Sequence, residues 1–347
     1  MKAFRLYASN DVRMVDVEVP TPGPGEALIR VAASGVCGSD VHGVAEADRY
    51  GYPLPYTLGH ETTGYVASFG EPSSPDETGA EPEIGVGDAV ALYPLIFCGR
   101  CPSCAAGQGN QCRSRFPISL GAGRDGGMAE YVVAPTSNLV RLGDLDPVIA
   151  APLTDAGMTS HNAVSIVKDR LGPGSTCVVI GVGGLGHLAL QLLQALTPAR
   201  VIAVDSDPVR LEHSREFGAH EIVAAGEGAE ERIGELCGGL GAEVVLDFVG
   251  SPETVELDCR VVASGGKLVV VGLSGGVVPV SLGGALPPQT DVVVPLAGGL
   301  ADLRAVVELA RDGRLRPVVT SYPLAEAQDV LDRLHRGVVE GRAVLIP

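Results

Sequence analysis

Four thiols crowd into one short stretch of this chain, spaced Cys98-x2-Cys101-x2-Cys104-x7-Cys112. Four thiolates at such spacings complete the tetrahedral shell of Zn²⁺ and leave no open position for a substrate. The expected site is therefore structural, with Gly99, Pro102, Gly107 and Gly109 supplying the bends. Two other chemistries compete with it. A redox C-x-x-C normally works alone at a helix N-terminus, and an iron–sulfur centre also accepts tetrahedral sulfur. A second constellation is Gly181-Val182-Gly183-Gly184-Leu185-Gly186, with Asp205 24 residues beyond Gly181. A G-x-G-x-x-G is weak alone, but this one follows an apolar strand and opens a helix, which is the setting of a dinucleotide site. Gly181 permits the tight turn, Gly183 the close approach of a pyrophosphate, and Gly186 the packing of helix on strand. The phosphates are expected on free N–H groups at the helix start. Asp205 is expected to bind the ribose 2′-hydroxyl and to repel a 2′-phosphate, favouring NAD over NADP, although Arg210 on the next turn complicates that preference.

Two further motifs are Cys37-Gly38-Ser39-Asp40-Val41-His42 and Gly59-His60-Glu61-x2-Gly64-x5-Gly70. Together with the four-cysteine loop, the glycine fingerprint and the terminal Gly341-Arg342-Ala343-Val344, in that order, they resemble the medium-chain zinc alcohol dehydrogenases over essentially the whole chain. The resemblance implies a GroES-like, β-rich catalytic domain over residues 1–153 and 298–347 and a Rossmann domain over 154–297. It makes Cys37 and His60 ligands of a catalytic zinc. The third ligand, commonly Cys, should fall near the domain junction, where this chain has Asp155. In that respect it is similar to bacterial NAD-dependent secondary-alcohol dehydrogenases that use Asp, and carboxylate oxygen is an ordinary zinc ligand. Glu61 stays open between an occasional ligand, an acid behind the ligands and a local structural contact. Asp40 is expected to be a local hydrogen-bonding or capping residue.

By the same resemblance Ser39 takes the hydroxyl proton of an alcohol and passes it through the nicotinamide ribose toward His42 and solvent. Thr159 and Leu185 pack on the nicotinamide, and Arg342 pairs with the pyrophosphate. The implied enzyme holds two zinc ions per chain, one catalytic and one structural. It moves a hydride reversibly between an alcohol, secondary by that subgroup, and NAD. A polyol or amino-alcohol dehydrogenase is the alternative within the family. A zinc-free quinone or enoyl reductase on the same fold needs neither Cys37, His60 nor the four-cysteine loop, so zinc content separates it. A nucleotide-sensing protein without turnover has no use for the Ser39/His42 pair.

These residues need two kinds of scaffold. Up to about residue 150 short β segments broken by Gly and Pro, such as Glu26–Ala33, Gly64–Phe69, Ala89–Tyr93 and Ala129–Ala134, suggest a partly closed barrel with long loops. An acidic loop is expected over Glu71–Glu83. From about Thr154 strands at Thr176–Ile180, Val201–Val204, Val244–Phe248 and Lys267–Val271 alternate with helices at Leu185–Leu196 and Pro208–Phe217, a pattern that builds a parallel sheet. Leu300–Arg311 and Leu324–Leu334 read as helices and Ala343–Ile346 as a last strand. Apolar runs at Val277–Val280 and Asp291–Pro295 read equally well as internal strands or as edges that pair with another subunit in a homodimer or homotetramer.

Composition narrows the partners. A net charge of −17 without a basic block disfavours nucleic acid and anionic membranes, and the small-molecule alcohol or carbonyl substrate is what the resemblance implies. No apolar stretch reaches the ~20 residues of a membrane span, and Met1-Lys2-Ala3-Phe4 does not open a secretory signal, so the cytoplasm is expected.

Overall fold

The strand Glu26–Val36 is the spine of the first unit in the computed structural model. Its inward residues Ala27, Ile29, Val31 and Ala33 are buried, following the two-residue period of a strand with one face on a core. Three antiparallel partners share it. Glu61–Phe69 runs along most of its length, Tyr131–Pro135 pairs its first half, and Arg342–Ile346 pairs its last residues. The structure describes residues 1–71, 84–114, 118–281 and 283–347. The acidic loop expected over Glu71–Glu83 thus lies, beyond Glu71, outside the described residues.

The chain divides into two compact units, Met1–Met158 with Gly299–Pro347, and Thr159–Gly298. The first is β-rich, with a seven-stranded sheet and two three-stranded sheets. The observed strands are longer than the alternation alone suggested at Val36 and Glu61, because the two pair with each other to their ends, Ser34 with Thr62 and Gly35 with Glu61.

Among its described residues the second unit holds six parallel strands. Counted within the unit they lie in the order 3-2-1-4-5-6: Glu221–Ala224, Arg200–Asp205, Thr176–Ile180, Ala242–Asp247, Val262–Val270 and Asp291–Val293. This is the doubly wound Rossmann topology, with its switch point at the first strand. Thr176–Ile180 is buried along its whole length, as a central parallel strand must be. Of the two expected edge segments, Asp291–Val293 is the sixth strand of this sheet. Val277–Val280 is no strand, and Pro279, which has no N–H for a ladder, gives the reason. Among the described residues no helix is long and apolar enough to cross a membrane.

Candidate active site

Strand register assembles the site. Gly35 lies opposite Glu61, and Val36 opposite Ala343. Cys37, His60, Glu61 and Arg342 therefore emerge at one end of the same sheet, although they are far apart in sequence. Cys37 ends the long strand and caps the helix Gly38–Ala45. Asp155 follows a short 3-10 turn, Ala151–Thr154, whose residues are all buried. Gly35 is required here: a Cβ at that position would overlap Glu61 Oε2.

Cys37 Sγ lies 3.4 Å from Asp155 Oδ2, and His60 Nε2 lies 3.5 Å from the same oxygen. Ligand atoms on a tetrahedral zinc with bonds of ~2.0–2.3 Å stand about 3.3–3.8 Å apart, so this set fits that ion. One donor atom each from Cys37, His60, Glu61 and Asp155 falls within 4.8 Å of the others. Glu61 is 0% exposed, and its Oε2 is buried without a hydrogen-bonding partner among the described residues. An orphaned carboxylate oxygen is costly in protein, and a cation beside it removes the cost. Its Oε1 accepts from Arg342 Nη2, and Arg342 is only 4% exposed. That pairing engages Nη2 of Arg342 with a buried counter-charge.

Electrostatics favour the charged forms of Asp155, His60 and Cys37, whereas burial pushes the Glu61 carboxyl well above its ordinary value against the lowering charge of Arg342. Burial pushes the Asp155 carboxyl up, but the hydrogen bond and charge of His60 outweigh it and hold it well below the carboxylate range. Burial pulls the His60 imidazole down, and the Asp40 charge with the Asp155 bond raises it well above its ordinary value. Burial and the Asp155 charge push the Cys37 thiol up, yet Arg342 and His60 leave it lower than a free thiol. A cysteine in that environment is disposed to act as thiolate, the form that binds metals.

Ser39 sits half-buried in the first turn of the helix, with Oγ 3.2 Å from His60 Nε2. His42, three residues further along that helix, is exposed. Asp40 does more than the expected capping. Its Oδ2 accepts the Cys37 N–H at 2.8 Å, while Oδ1 lies 3.2 Å from His60 Nδ1. A carboxylate on Nδ1 orients the imidazole and leaves Nε2 as the donor toward a metal. The only signal for this in the sequence was the adjacency of Asp40 to Ser39.

The four expected loop cysteines also converge. Cys98 Sγ is 3.9 Å from Cys104 Sγ, and Cys101 Sγ is 3.5 Å from it. All four sulfurs lie within 4.8 Å of one another. Sulfurs at ~2.3 Å from a tetrahedral zinc stand about 3.8 Å apart, so the loop fits that ion too. Backbone N–H groups of Cys98, Cys101 and Arg113 point at the sulfurs, as thiolates require.

In the second unit the glycine loop sits between the strand Thr176–Ile180 and the helix Gly186–Leu196. Gly181 has φ +81, and a Cβ on Gly186 would overlap the Gly181 carbonyl oxygen, so both glycines are sterically required. A Cβ on Gly183 would meet only Arg210 Nη1, at 3.7 Å. Asp205 is 8% exposed and accepts the Val182 N–H at 2.8 Å and the Asp207 N–H at 2.9 Å, tying its own strand end to the glycine loop. Thr159 is buried, and its neighbour Ser160 donates to the Leu185 carbonyl at 3.0 Å. Ser160 and the buried His187, whose Nδ1 lies 2.9 Å from the Gly183 carbonyl, were not legible as loop contacts. Of the tyrosines near the first motif, Tyr56 belongs to the core with Phe4 and Leu58, and Tyr52 packs against that cluster. Tyr93 is 0% exposed and is likewise core.

Comparison with known proteins agrees with this arrangement. Residues 23–144 match the alcohol dehydrogenase GroES-like domain, and residues 184–312 match the zinc-binding dehydrogenase domain. The chain is 34% identical to an NAD-dependent alcohol dehydrogenase of Sulfurisphaera tokodaii, covering all of both chains. It is 32% identical to a D-arabinose 1-dehydrogenase (NADP(+)) of Saccharolobus solfataricus, over 98% of this chain and 95% of that one. The alcohol dehydrogenase structure from Aeropyrum pernix superposes with a TM-score of 0.91 at 35% identity, again over all of both chains.

Proposed function

Because the chain belongs to the zinc-dependent medium-chain alcohol dehydrogenases, we propose that Cys37, His60 and Asp155 hold its catalytic zinc and that Cys98, Cys101, Cys104 and Cys112 hold a structural one. The protein is an NAD-dependent alcohol oxidoreductase of that family. The observation that carries the assignment of ligands is the meeting of a thiol, an imidazole and a carboxylate at 3.4 and 3.5 Å.

A zinc ion in this set supplies Lewis acidity that lowers the pKa of an alcohol hydroxyl, and NAD supplies the hydride acceptor. The residues do the rest. Ser39 Oγ accepts the hydroxyl proton as it releases its own, and the exposed His42 on the same helix hands a proton on to solvent. Asp40 fixes the ring of His60, and Glu61 stands behind the ligands with one free oxygen. Arg342 compensates the buried charge of Glu61, a use that competes with a role at the pyrophosphate. In the second unit Gly181, Gly183, Gly184, Leu185 and Gly186 receive the dinucleotide, with Thr159 and Leu185 against the nicotinamide. Asp205 selects NAD by repelling a 2′-phosphate, and Arg210 beside Gly183 tempers that selection. The unit of residues 1–158 and 299–347, which holds Asp155, serves as the catalytic domain, and the unit 159–298 as the cofactor domain, so the division falls a few residues after the expected one at 153/154.

A secondary alcohol is the proposed substrate class, resting on the subgroup resemblance that Asp155 carries. The D-arabinose dehydrogenase relative supports a polyol or sugar as the second reading. Cysteines gathered for metal ligation rather than for disulfide pairing favour a reducing compartment, the cytoplasm. The edge strand Asp291–Val293, continued by Val294 (70% exposed) and Leu296 (49% exposed), is the proposed contact between copies in a homodimer or homotetramer. The test of the site is Asp155→Ala. Zinc should fall from two ions per chain to one, and turnover on a panel of primary, secondary and polyol substrates by more than about 100-fold, since removing even a residue behind a metal ligand costs ~10–100-fold. Two zinc ions retained with undiminished turnover would sink the assignment.

A further inference from the structure

The second unit contains a carboxyl group that the chemistry above does not use. Asp258, on the helix Pro252–Val261, is 0% exposed, and both side-chain oxygens are buried without a hydrogen-bonding partner among the described residues. An ionised carboxylate there would lose its hydration and gain nothing in return. The charge that bears on it is the carboxylate of Asp247, the last residue of the strand Ala242–Asp247.

Asp247 is also 0% exposed, but it is well supplied with donors. Its Oδ1 accepts the N–H groups of Val249 at 2.7 Å and Gly250 at 2.9 Å, and Oδ2 accepts the Thr254 hydroxyl at 2.7 Å. A carboxylate offers about four lone-pair positions, so one further donor can be received. Thr254 and Asp258 stand four residues apart on one helix and so share a face. The turn that Asp247 organises abuts the glycine loop. The Phe248 N–H donates to the Ile180 carbonyl at 2.8 Å, and a Cβ on Gly181 would lie 2.5 Å from Val249 Cγ2.

We propose that Asp258 is a positioning residue for the dinucleotide: in its protonated form it donates to Asp247 and holds the turn of residues 247–250 as a wall of the glycine loop. The inference rests on the reading of Gly181–Gly186 as the NAD site. Burial, reinforced by the Asp247 charge, pushes the Asp258 carboxyl up to about 9, so the proton is present at neutral pH. Other charges on the packed elements are engaged elsewhere. Glu230 on the neighbouring helix takes Arg260, Arg232 pairs with Glu235, and Glu231 is exposed. Glu243 accepts the Thr176 N–H, and Lys267 donates to the Ile166 carbonyl. Cys259 beside it is a thiol raised by burial and by Asp258. Loss of the proton sets two carboxylates against each other in a dry interior, and the wall gives way.

The experiment is NADH binding to the holoenzyme, read from nicotinamide fluorescence between neutral and alkaline pH, for wild type, Asp258→Asn and Asp258→Leu. In the wild type Kd should be flat at neutral pH and rise by up to about tenfold per pH unit once Asp258 ionises. Asp258→Asn keeps a donor that never ionises, so it should bind like wild type at neutral pH and lack the alkaline rise. Asp258→Leu has no donor and should bind more weakly at every pH, with unfolding curves at the same pH confirming a folded protein. The same alkaline rise in wild type and Asp258→Asn overturns the proposal, as does wild-type affinity in a folded Asp258→Leu. A wild type that binds no NADH at neutral pH overturns the cofactor reading itself, and this proposal with it.

Discussion

At the scale of single residues, Asp40 couples two jobs that are usually separate. It closes the helix start by accepting the Cys37 N–H, and it faces His60 Nδ1 from 3.2 Å. Both jobs bear on the proposed ligands, one through the backbone of Cys37 and the other through the ring of His60. Asp40→Ala should therefore loosen the catalytic metal alone. A residue of this kind changes metal affinity by ~10–100-fold, and loss of a helix cap costs about 1 kcal/mol. Chelator titration should show one zinc ion released earlier and the other unchanged. Equal retention of both ions would mean that Asp40 caps the helix and does nothing more. Cys37 and His60 were legible because their flanking glycines form a motif. The pairing of Arg342 with Glu61 was not legible, since spacing carries no information about a partner 281 residues away.

At the scale of elements, the glycine loop separates fold from binding. Gly186 is where the helix crosses the end of its strand, and a Cβ there has no space beside the Gly181 carbonyl oxygen. Gly183 faces only the end of Arg210, 3.7 Å from where a Cβ would stand. Gly186→Ala should cost stability, about 1–3 kcal/mol as overpacking generally does, and lower NADH affinity as well. Gly183→Ala should leave the melting temperature unchanged and weaken NADH binding alone if, as proposed, only the pyrophosphate needs that space. Identical melting and binding in the two variants would contradict this division. The strand–helix alternation from Thr176 onward was readable because each parallel strand is apolar throughout and each helix repeats at its own period. The β-rich first unit was readable as a class only. Its strand ends and partners depend on register, and one expected strand, Val277–Val280, failed because Pro279 cannot join a ladder.

At the scale of the whole molecule, one exposed apolar segment calls for a cover. Val294 and Leu296 continue Asp291–Val293, whose outer edge has no partner strand among the described residues, and two-fold pairing of such edges joins two sheets into one. Val294→Asp should yield a smaller species in sedimentation while each chain keeps its zinc, whereas an unchanged assembly would move the interface elsewhere. The chain's local order determined its chemistry: which donor atoms exist, the spacing of the four thiols, the glycine turn and the carboxylate that follows it. Those are short-range properties, set by residue type and by a few bonds of separation. The tertiary structure decided the rest. It brought Cys37 to Asp155 across 118 residues, turned Arg342 onto Glu61, and enclosed Asp258 beside Asp247. Such meetings arise from strand register and helix packing, in which every residue of the sheet takes part, and burial then sets the charge each group carries.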